Sequence, residues 1–394
     1  MINKKEDYST LLTKYRRELH RIPELDLELP KTKAYILSVL KELDCEIIPV
    51  LKSGVIAYFD RGQNNTIGFR ADMDALPIEE ISSLPFVSVH RGKMHACGHD
   101  GHMAMCLGLA KWLDTEKKLN ANVLIIFQPG EESSGGALPI CNTGVLQRKN
   151  VTEIFGLHMW PNIEAGKIIS KSGPLQPLSS QIDFTVHGKS AHATAPEKGI
   201  DSIYISSQLI TSIKKKHLAF LNERGYHDDC GGGFSINPPK AEDRTIIQIC
   251  SFHGGSSRNV IPAETTLCGT VRAFSFEDFQ SLINLIKDIV NKTEKRFSCK
   301  IEFSHSTPYP PVINDRALYE SAMKRCTAAN ISVENMHKPA MISEDFSNYG
   351  EVAPYNFFFI GTGMPQGLHS NNFNLNEKGL INGLKLYAAL IKGY

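Results

Sequence analysis

Five short segments concentrate side chains able to hold a metal ion or move a proton. They are Arg70-Ala71-Asp72-Met73-Asp74-Ala75-Leu76-Pro77, His95-Ala96-Cys97-Gly98-His99-Asp100, Pro129-Gly130-Glu131-Glu132, Gly156-Leu157-His158 and Leu368-His369-Ser370. Thiolate, imidazole and carboxylate together suit a borderline divalent ion such as Zn, Mn, Co or Ni, and a set this rich in donors leaves room for two ions. Taken singly, each residue has an ordinary reading: Cys97 as a buried thiol, His158 or His369 as a hydrogen-bonded core histidine, Asp72 and Asp74 as loop caps. Glu131 and Glu132 resist it. Two adjacent carboxylates straight after the apolar run Val123 to Phe127 and a Pro-Gly turn repel one another wherever solvent is limited, so a cation is wanted nearby. His90, His95 and His102 read as supporting or surface residues rather than ligands.

Hydrophobic period and turn signals give the elements that must position these side chains. Residues 8 to 44 read as two amphipathic helices parted by Pro23 and Pro30. Val55 to Phe59 and Thr66 to Arg70 are β-rich runs joined through Asp60-Arg61-Gly62-Gln63-Asn64-Asn65 by a hairpin or a short loop. A helix from Gly101 to Leu119, a strand from Asn122 to Gln128, a helix from Ala137 to Arg148 and a strand from Glu153 to His158 follow, the alternation of a largely parallel sheet. At least three of the five segments end a predicted strand or follow one directly, and ligands of open parallel sheets gather outside the carboxyl ends of the strands.

After the Gly/Pro-punctuated joint between Gly173 and Leu178 the pattern starts afresh. Strand 180–188, helix 199–216, strand 244–252, strand 264–274, helix 276–296 and strand 299–305 form a β-α-β-β-α-β order, which is ferredoxin-like. Tyr309-Pro310-Pro311 closes this insertion, and helices near 314–330 and 376–392 with a strand at 355–361 complete the α/β domain. The expected architecture is thus α/β: a mainly parallel-sheet metal-binding domain over 1–177 and 309–394, interrupted by an α+β ferredoxin-like domain over 178–308. Residues 217–243, with Cys230-Gly231-Gly232-Gly233 and Pro238-Pro239, fit no element.

Composition removes several classes. The 394 residues are 42 % hydrophobic and 22 % charged, ordinary for a globular chain. Forty-three Lys plus Arg against 42 Asp plus Glu give a formal charge of +1, so there is no basic field for nucleic acid, and Lys214-Lys215-Lys216 reads as a solvated helix end. The charged start Met1-Ile2-Asn3-Lys4-Lys5-Glu6-Asp7 has no signal-peptide pattern, and no apolar run approaches the ~18 residues of a membrane span. Nine cysteines without a Cys-x-x-Cys read as reduced thiols, so a cytoplasmic protein is expected.

With the five segments in this order, the chain resembles the metallopeptidase M20 family, in its branch of aminoacylase-, hippurate hydrolase- and indoleacetyl-amino-acid hydrolase-like amidohydrolases. The resemblance covers nearly the whole chain. Further motifs carry it: Arg17-Glu18-Leu19-His20-Arg21-Ile22-Pro23-Glu24-Leu25, Gly188-Lys189-Ser190-Ala191-His192-Ala193, Arg258-Asn259-Val260-Ile261-Pro262 and Met341-Ile342-Ser343-Glu344-Asp345-Phe346. The resemblance implies two divalent metal ions bridged by Cys97, one completed by His99 and His158, the other by Glu132 and His369. It implies Glu131 as general base and Asp74 as the acid orienting a ligand. Many relatives have a ligating His at the position of Asp72; here it is Asp, as in the amidohydrolase branch, and it is expected to support the metals from behind. The inserted domain resembles the family's lid and dimerisation domain, which implies a homodimer or dimer of dimers. His192 would stabilise the oxyanion in a neighbouring subunit, and Asn259 and Arg272 would hold the substrate near its carboxylate.

The expected substrate is a small N-acyl amino acid or short peptide, with no nucleic-acid or membrane partner. An aminopeptidase or dipeptidase is the alternative within the family. A cysteine hydrolase using Cys97 with His99 would leave Glu131, Glu132, His158 and His369 unused, and a metal-stabilised scaffold with a decayed site is at odds with a full ligand set.

Overall fold

Strands that are apolar along their whole length need cover on both faces, and the central strands of this protein have it. The computed structural model describes residues 7–224 and 244–394. Its first unit gathers Met1–Leu175, Ile313–His337 and Asp345–Tyr394. Here an eight-stranded sheet runs in the order Glu46–Val50, Gly54–Phe59, Asn122–Gln128, Thr66–Asp72, Val151–Trp160, Tyr355–Gly361, Ile168–Ser170, Val333–Asn335. Asn122–Gln128, Thr66–Asp72, Val151–Trp160 and Tyr355–Gly361 are parallel neighbours. Every residue of Asn122–Gln128, Thr66–Asp72 and Tyr355–Gly361 is buried.

Helices Tyr8–His20, His99–Thr115 and Leu380–Lys392 pack on one another, and their Leu12, Met103, Leu107 and Tyr387 share a core with Phe69, Phe155 and Phe358 of the strands. Each such side chain stabilises by about 1.5–3 kcal/mol through burial. Because the central strands run the same way, their carboxyl ends lie along one edge. Asp72 ends one strand, Glu131 and Glu132 follow Gln128 of the next, and His158 sits near the end of a third.

The structure departs from the sequence reading in detail. Gly54–Phe59 and Thr66–Asp72 form no hairpin, because Asn122–Gln128 lies between them, antiparallel to the first and parallel to the second. The helix expected over Ala137 to Arg148 is two, Ala137–Asn142 and Val145–Arg148, parted at Gly144, whose φ is +69°. Ile168–Ser170 and Val333–Asn335 are three residues each, too short to show a period.

The second unit comprises Gln176–Val312 and Lys338–Glu344. An antiparallel sheet in the order Ile246–Gly254, Glu264–Ala273, Leu178–His187, Lys300–His305 is covered by helices Ser202–Asn222 and Phe276–Phe297. Along Leu178–His187 the residues Leu178, Ser180, Ile182, Phe184 and Val186 are buried and their neighbours are not, the mark of a sheet with one covered face. Asp201 and Ser275 start the two helices by accepting the N–H groups of Tyr204 and Asp278. The first helix runs past its expected end at 216 to Asn222, since His217 and Leu221 continue its buried stripe, so Lys214-Lys215-Lys216 lies on a solvated face rather than at an end. The rest of the unassigned excursion, 225–243, lies outside the described residues. No helix among the described residues is long and apolar enough to cross a membrane.

Candidate metal centre

Two glycines shape the turns that deliver the central donors. Gly98 caps helix His99–Thr115 at φ +86°, and a Cβ there would lie 2.8 Å from Met159 Cγ, so Cys97 and His99 can flank the helix start only around a glycine. Gly130, at φ +78°, turns the chain after Asn122–Gln128, where a Cβ would meet Leu27 Cδ2 at 2.6 Å. His369 is itself left-handed at φ +63°, a conformation costly for a residue with a Cβ, and its N–H donates to Ala96 O at 2.8 Å, which ties its loop to the Cys97 segment.

Hydrogen bonds fix how each histidine is presented. His99 donates from Nδ1 to the Asp74 carbonyl at 2.7 Å, and His158 donates from Nδ1 to the Met159 carbonyl at 2.7 Å. Each ring therefore turns an Nε2 lone pair inward. His158 Nε2 lies 3.3 Å from Cys97 Sγ. His99 Nε2 is buried without a hydrogen-bond partner, 3.6 Å from Asp72 Oδ2 and 3.8 Å from Glu132 Oε1. His369 Nε2 is 3.3 Å from the same Glu132 oxygen. The ligand-capable atoms of Cys97, His99 and Glu132 lie within 4.8 Å of one another, as do those of Asp72, His99, His102 and His158. His102 nonetheless has no nitrogen to spare: Nδ1 donates to Asp72 Oδ1 at 2.6 Å, and Nε2 accepts the Met159 N–H at 2.8 Å.

The carboxylates divide between presented and engaged. Asp72, buried, is held by His102 on one oxygen and by Arg70 Nη1 at 2.7 Å on the other. Burial works against its charge, yet His102, His99 and Arg70 hold it well below the usual carboxylate range. Asp74 Oδ1 lies 3.9 Å from His99 Nδ1, whose hydrogen bond goes to the Asp74 carbonyl. The two Asp74 carboxylate oxygens accept the backbone N–H groups of Glu131 and Glu132 at 2.9 and 3.0 Å, which fixes the turn that carries both glutamates, while burial pushes the Asp74 carboxyl up to about 8.

Burial also pushes the His158 imidazole down to about 3 and lowers that of His99, so both rings are neutral and fit to ligate. The Cys97 thiol is raised well above its ordinary value, by burial first and by Glu132 and Glu131 next. Burial opposes the charge of Glu132 as well, but His369 and His99 keep it below its ordinary value, and Glu132 in turn raises His369. A thiol this disfavoured as an anion, beside an orphaned imidazole nitrogen and two adjacent carboxylates, is a donor set that fits divalent cations: coordination is what would deprotonate the sulfur and satisfy the nitrogen. Cys97, His99, His158, Glu132 and His369 thus converge as their sequence segments suggested.

The remaining candidates lie in the second unit. His192 belongs to a two-residue ladder and pairs with Val260; it is exposed, and its Nδ1 bonds to Thr194 Oγ1 at 2.7 Å. Asn259 is its neighbour across that ladder, its carbonyl accepting the Ala193 N–H at 2.9 Å. Arg272 is not. It lies eight residues along strand Glu264–Ala273, roughly 25 Å from the end nearest Asn259. There, half-buried, it donates to the Met341 carbonyl at 2.5 Å, rather than pointing freely outward. Within this chain Asn259 groups with His192 and not with Arg272. The sequence assigns no role to Arg70, Gln128 or Asp345, which lie behind Asp72, although Arg70 opens the first candidate segment and Asp345 lies in the Met341 to Phe346 motif.

The sequence profile described as Peptidase family M20/M25/M40 matches residues 68–393. A relative named IAA-amino acid hydrolase ILR1-like 4, from Arabidopsis thaliana, is 33 % identical over 99 % of this chain and 87 % of its own length. An uncharacterized hydrolase of Staphylococcus epidermidis is 32 % identical over 97 % of this chain and 98 % of its own. Among solved structures, the Bacillus subtilis YxeP protein, described as a dinuclear metal binding peptidase from the M20 family, superimposes with a TM-score of 0.79 at 31 % identity, covering 97 % of each chain.

Proposed function

The chain belongs to peptidase family M20/M25/M40 and is a metal-dependent hydrolase of the amidohydrolase and peptidase class; on that premise we propose that it cleaves the amide bond of an N-acyl amino acid or a short peptide-like substrate. The observation that carries this reading is the placing of Cys97 Sγ, 3.3 Å from His158 Nε2 and clustered with the orphaned His99 Nε2 and with Glu132. Cys97, His99 and His158 would hold one divalent ion, and Cys97, Glu132 and His369 a second, with Zn, Mn, Co or Ni as candidates. Such ions supply Lewis acidity, lowering the pKa of a bound water toward ~7 and polarising the scissile carbonyl.

The chain's own residues do the rest. Glu131 takes the proton of the attacking water and delivers it to the leaving amine nitrogen, a role open to it because Glu132 is the glutamate committed to the ion. Asp74 keeps both glutamates in place through their backbone N–H groups. His192 stabilises the tetrahedral oxyanion, and Arg272 and Asn259 hold the substrate near its carboxylate. Since Asn259 and His192 travel together and Arg272 lies far along the strand, the reading goes with a homodimer, or a dimer of dimers, in which the first two serve a neighbouring subunit.

The relative named for IAA-amino acid hydrolysis favours N-acyl amino acids, and the M20 peptidase of known structure favours the alternative, an aminopeptidase or dipeptidase. A hydrolysis panel of N-acetyl amino acids, N-acyl aromatics and free dipeptides, after reconstitution with Mn, Zn or Co, separates the two. Deacylation that disappears with chelator is expected; turnover of dipeptides alone would reassign the substrate, and chelator-resistant turnover would discard the metal reading.

A further inference from the structure

Behind the donor set lies a buried charged network that the proposed chemistry does not use. The Arg70 guanidinium spends its fork on three partners: Nη1 donates to Asp72 Oδ2 at 2.7 Å, Nη2 to Asp345 Oδ1 at 3.0 Å and Nε to Gln128 Oε1 at 2.9 Å. Gln128 Nε2 donates to both Asp345 oxygens at 2.8 and 2.7 Å, and the Ala137 N–H adds a bond to Oδ2 at 2.9 Å. Arg70, Asp72, Gln128 and Asp345 are all 2 % exposed or less. One end of the network is Asp72, which fixes His102 and through it the Met159 N–H next to His158. The other end is Asp345, which has a carboxylate oxygen within 4.8 Å of one on Glu131.

Burying three charges is a poor way to stabilise a sheet, because desolvation offsets the attraction and well-packed apolar residues do as well or better. Satisfied polar networks of this kind instead fix geometry and charge at the groups they touch. We propose that Asp345 and Arg70 are positioning residues of the metal centre, holding Asp72, and through it the His102 and His158 wall, in ligating geometry.

This rests on the metal-centre reading, and the test keeps the two apart. Purified, chelator-stripped full-length protein is titrated with Zn²⁺ alone in a competition calorimetric assay, and the unfolding midpoint of the stripped form is measured in parallel. Asp345→Asn is expected to weaken Zn²⁺ binding by roughly 10- to 100-fold, the usual effect of losing an outer partner of a ligand. Gln128→Met, which leaves every charge in place but removes two donors from Asp345, should weaken it less. A merely structural role would lower the stripped midpoint and leave the affinity of folded protein at the wild-type value, and that outcome overturns the proposal. Should Asp345→Asn fail to fold, wild-type affinity in Gln128→Met overturns it equally. Absence of Zn²⁺ binding by the wild type would instead remove the metal-centre reading itself.

Discussion

The two units present most of their candidate site residues in different ways, although His369 of the first is exposed and His217 of the second is buried. In the first, Asp72, Asp74, His99, His102, His158 and Asp345 are buried, and every one of them takes part in directional hydrogen bonds. In the second, His192 and Asn259 are exposed on a two-residue ladder, and Arg272 is half-buried against a backbone carbonyl. A buried constellation is set before any ligand arrives, so damage to it should appear as lost metal or lost stability. An exposed residue on a rigid sheet can be changed with little effect on either, so damage to it should appear in turnover alone.

The largest effect that would test this contrast belongs to Cys97. Cys97→Ser should lose both ions and bring activity to background, because one sulfur is shared by the two proposed sites; metal analysis that finds two tightly held ions would remove the bridging assignment. Glu131→Gln comes next, with kcat lower by roughly 10²- to 10⁴-fold while metal content and unfolding midpoint stay near wild type. Full occupancy with near-normal turnover would take the general base elsewhere. For His192→Ala the expected loss is roughly 10²- to 10³-fold in kcat, the typical worth of one oxyanion donor, with metal content unchanged. If that substitution strips metal, the division between the units fails.

The smallest effect concerns acid. His217, buried in helix Ser202–Asn222 and bonded to Thr245 Oγ1 at 3.0 Å, has its imidazole pushed down to about 4 by burial. The unfolded chain binds the proton near 6.5 and the folded unit does not, so its contribution is present above pH ~6.5 and is lost as pH falls toward 4, up to about 3 kcal/mol. Hydrogen exchange in that helix should quicken over this window, and His217→Gln should flatten the trend. An unchanged slope in the variant would place the acid sensitivity in another group.

Legibility followed the same division. Glu132 follows one apolar strand and His158 lies near the end of another, so both could be read from the strand ends that carry them, and Cys97 and His99 from the segment that opens an apolar helix. Of the two readings of Asp60 to Asn65, the short loop holds and the hairpin does not, because a strand some sixty residues later inserts itself between its arms, a partner choice that local turn chemistry does not encode. Arg70 and Asp345 each lie in a motif, but they are 275 residues apart and no local signal pairs them. Asn259 and Arg272 are paired by the family resemblance alone, and within this chain they stand apart because a strand advances about 3.3 Å with every residue.

The left-handed His369 loop bears on how the protein is made. Ribosomal synthesis lets N-terminal segments fold first, but this unit keeps one donor, His369, 211 residues after His158 and just ahead of helix Leu380–Lys392, which packs on helix His99–Thr115. Cys97, His99, Glu132 and His158 therefore emerge long before the strand Tyr355–Gly361 that pairs beside His158 and before the loop that bonds to Ala96. A nascent chain carries an open, thiol-bearing half-site from the emergence of Cys97 until His369 follows. Such a chain is vulnerable to capture of the wrong soft ion and to oxidation of Cys97 until the His369 loop docks.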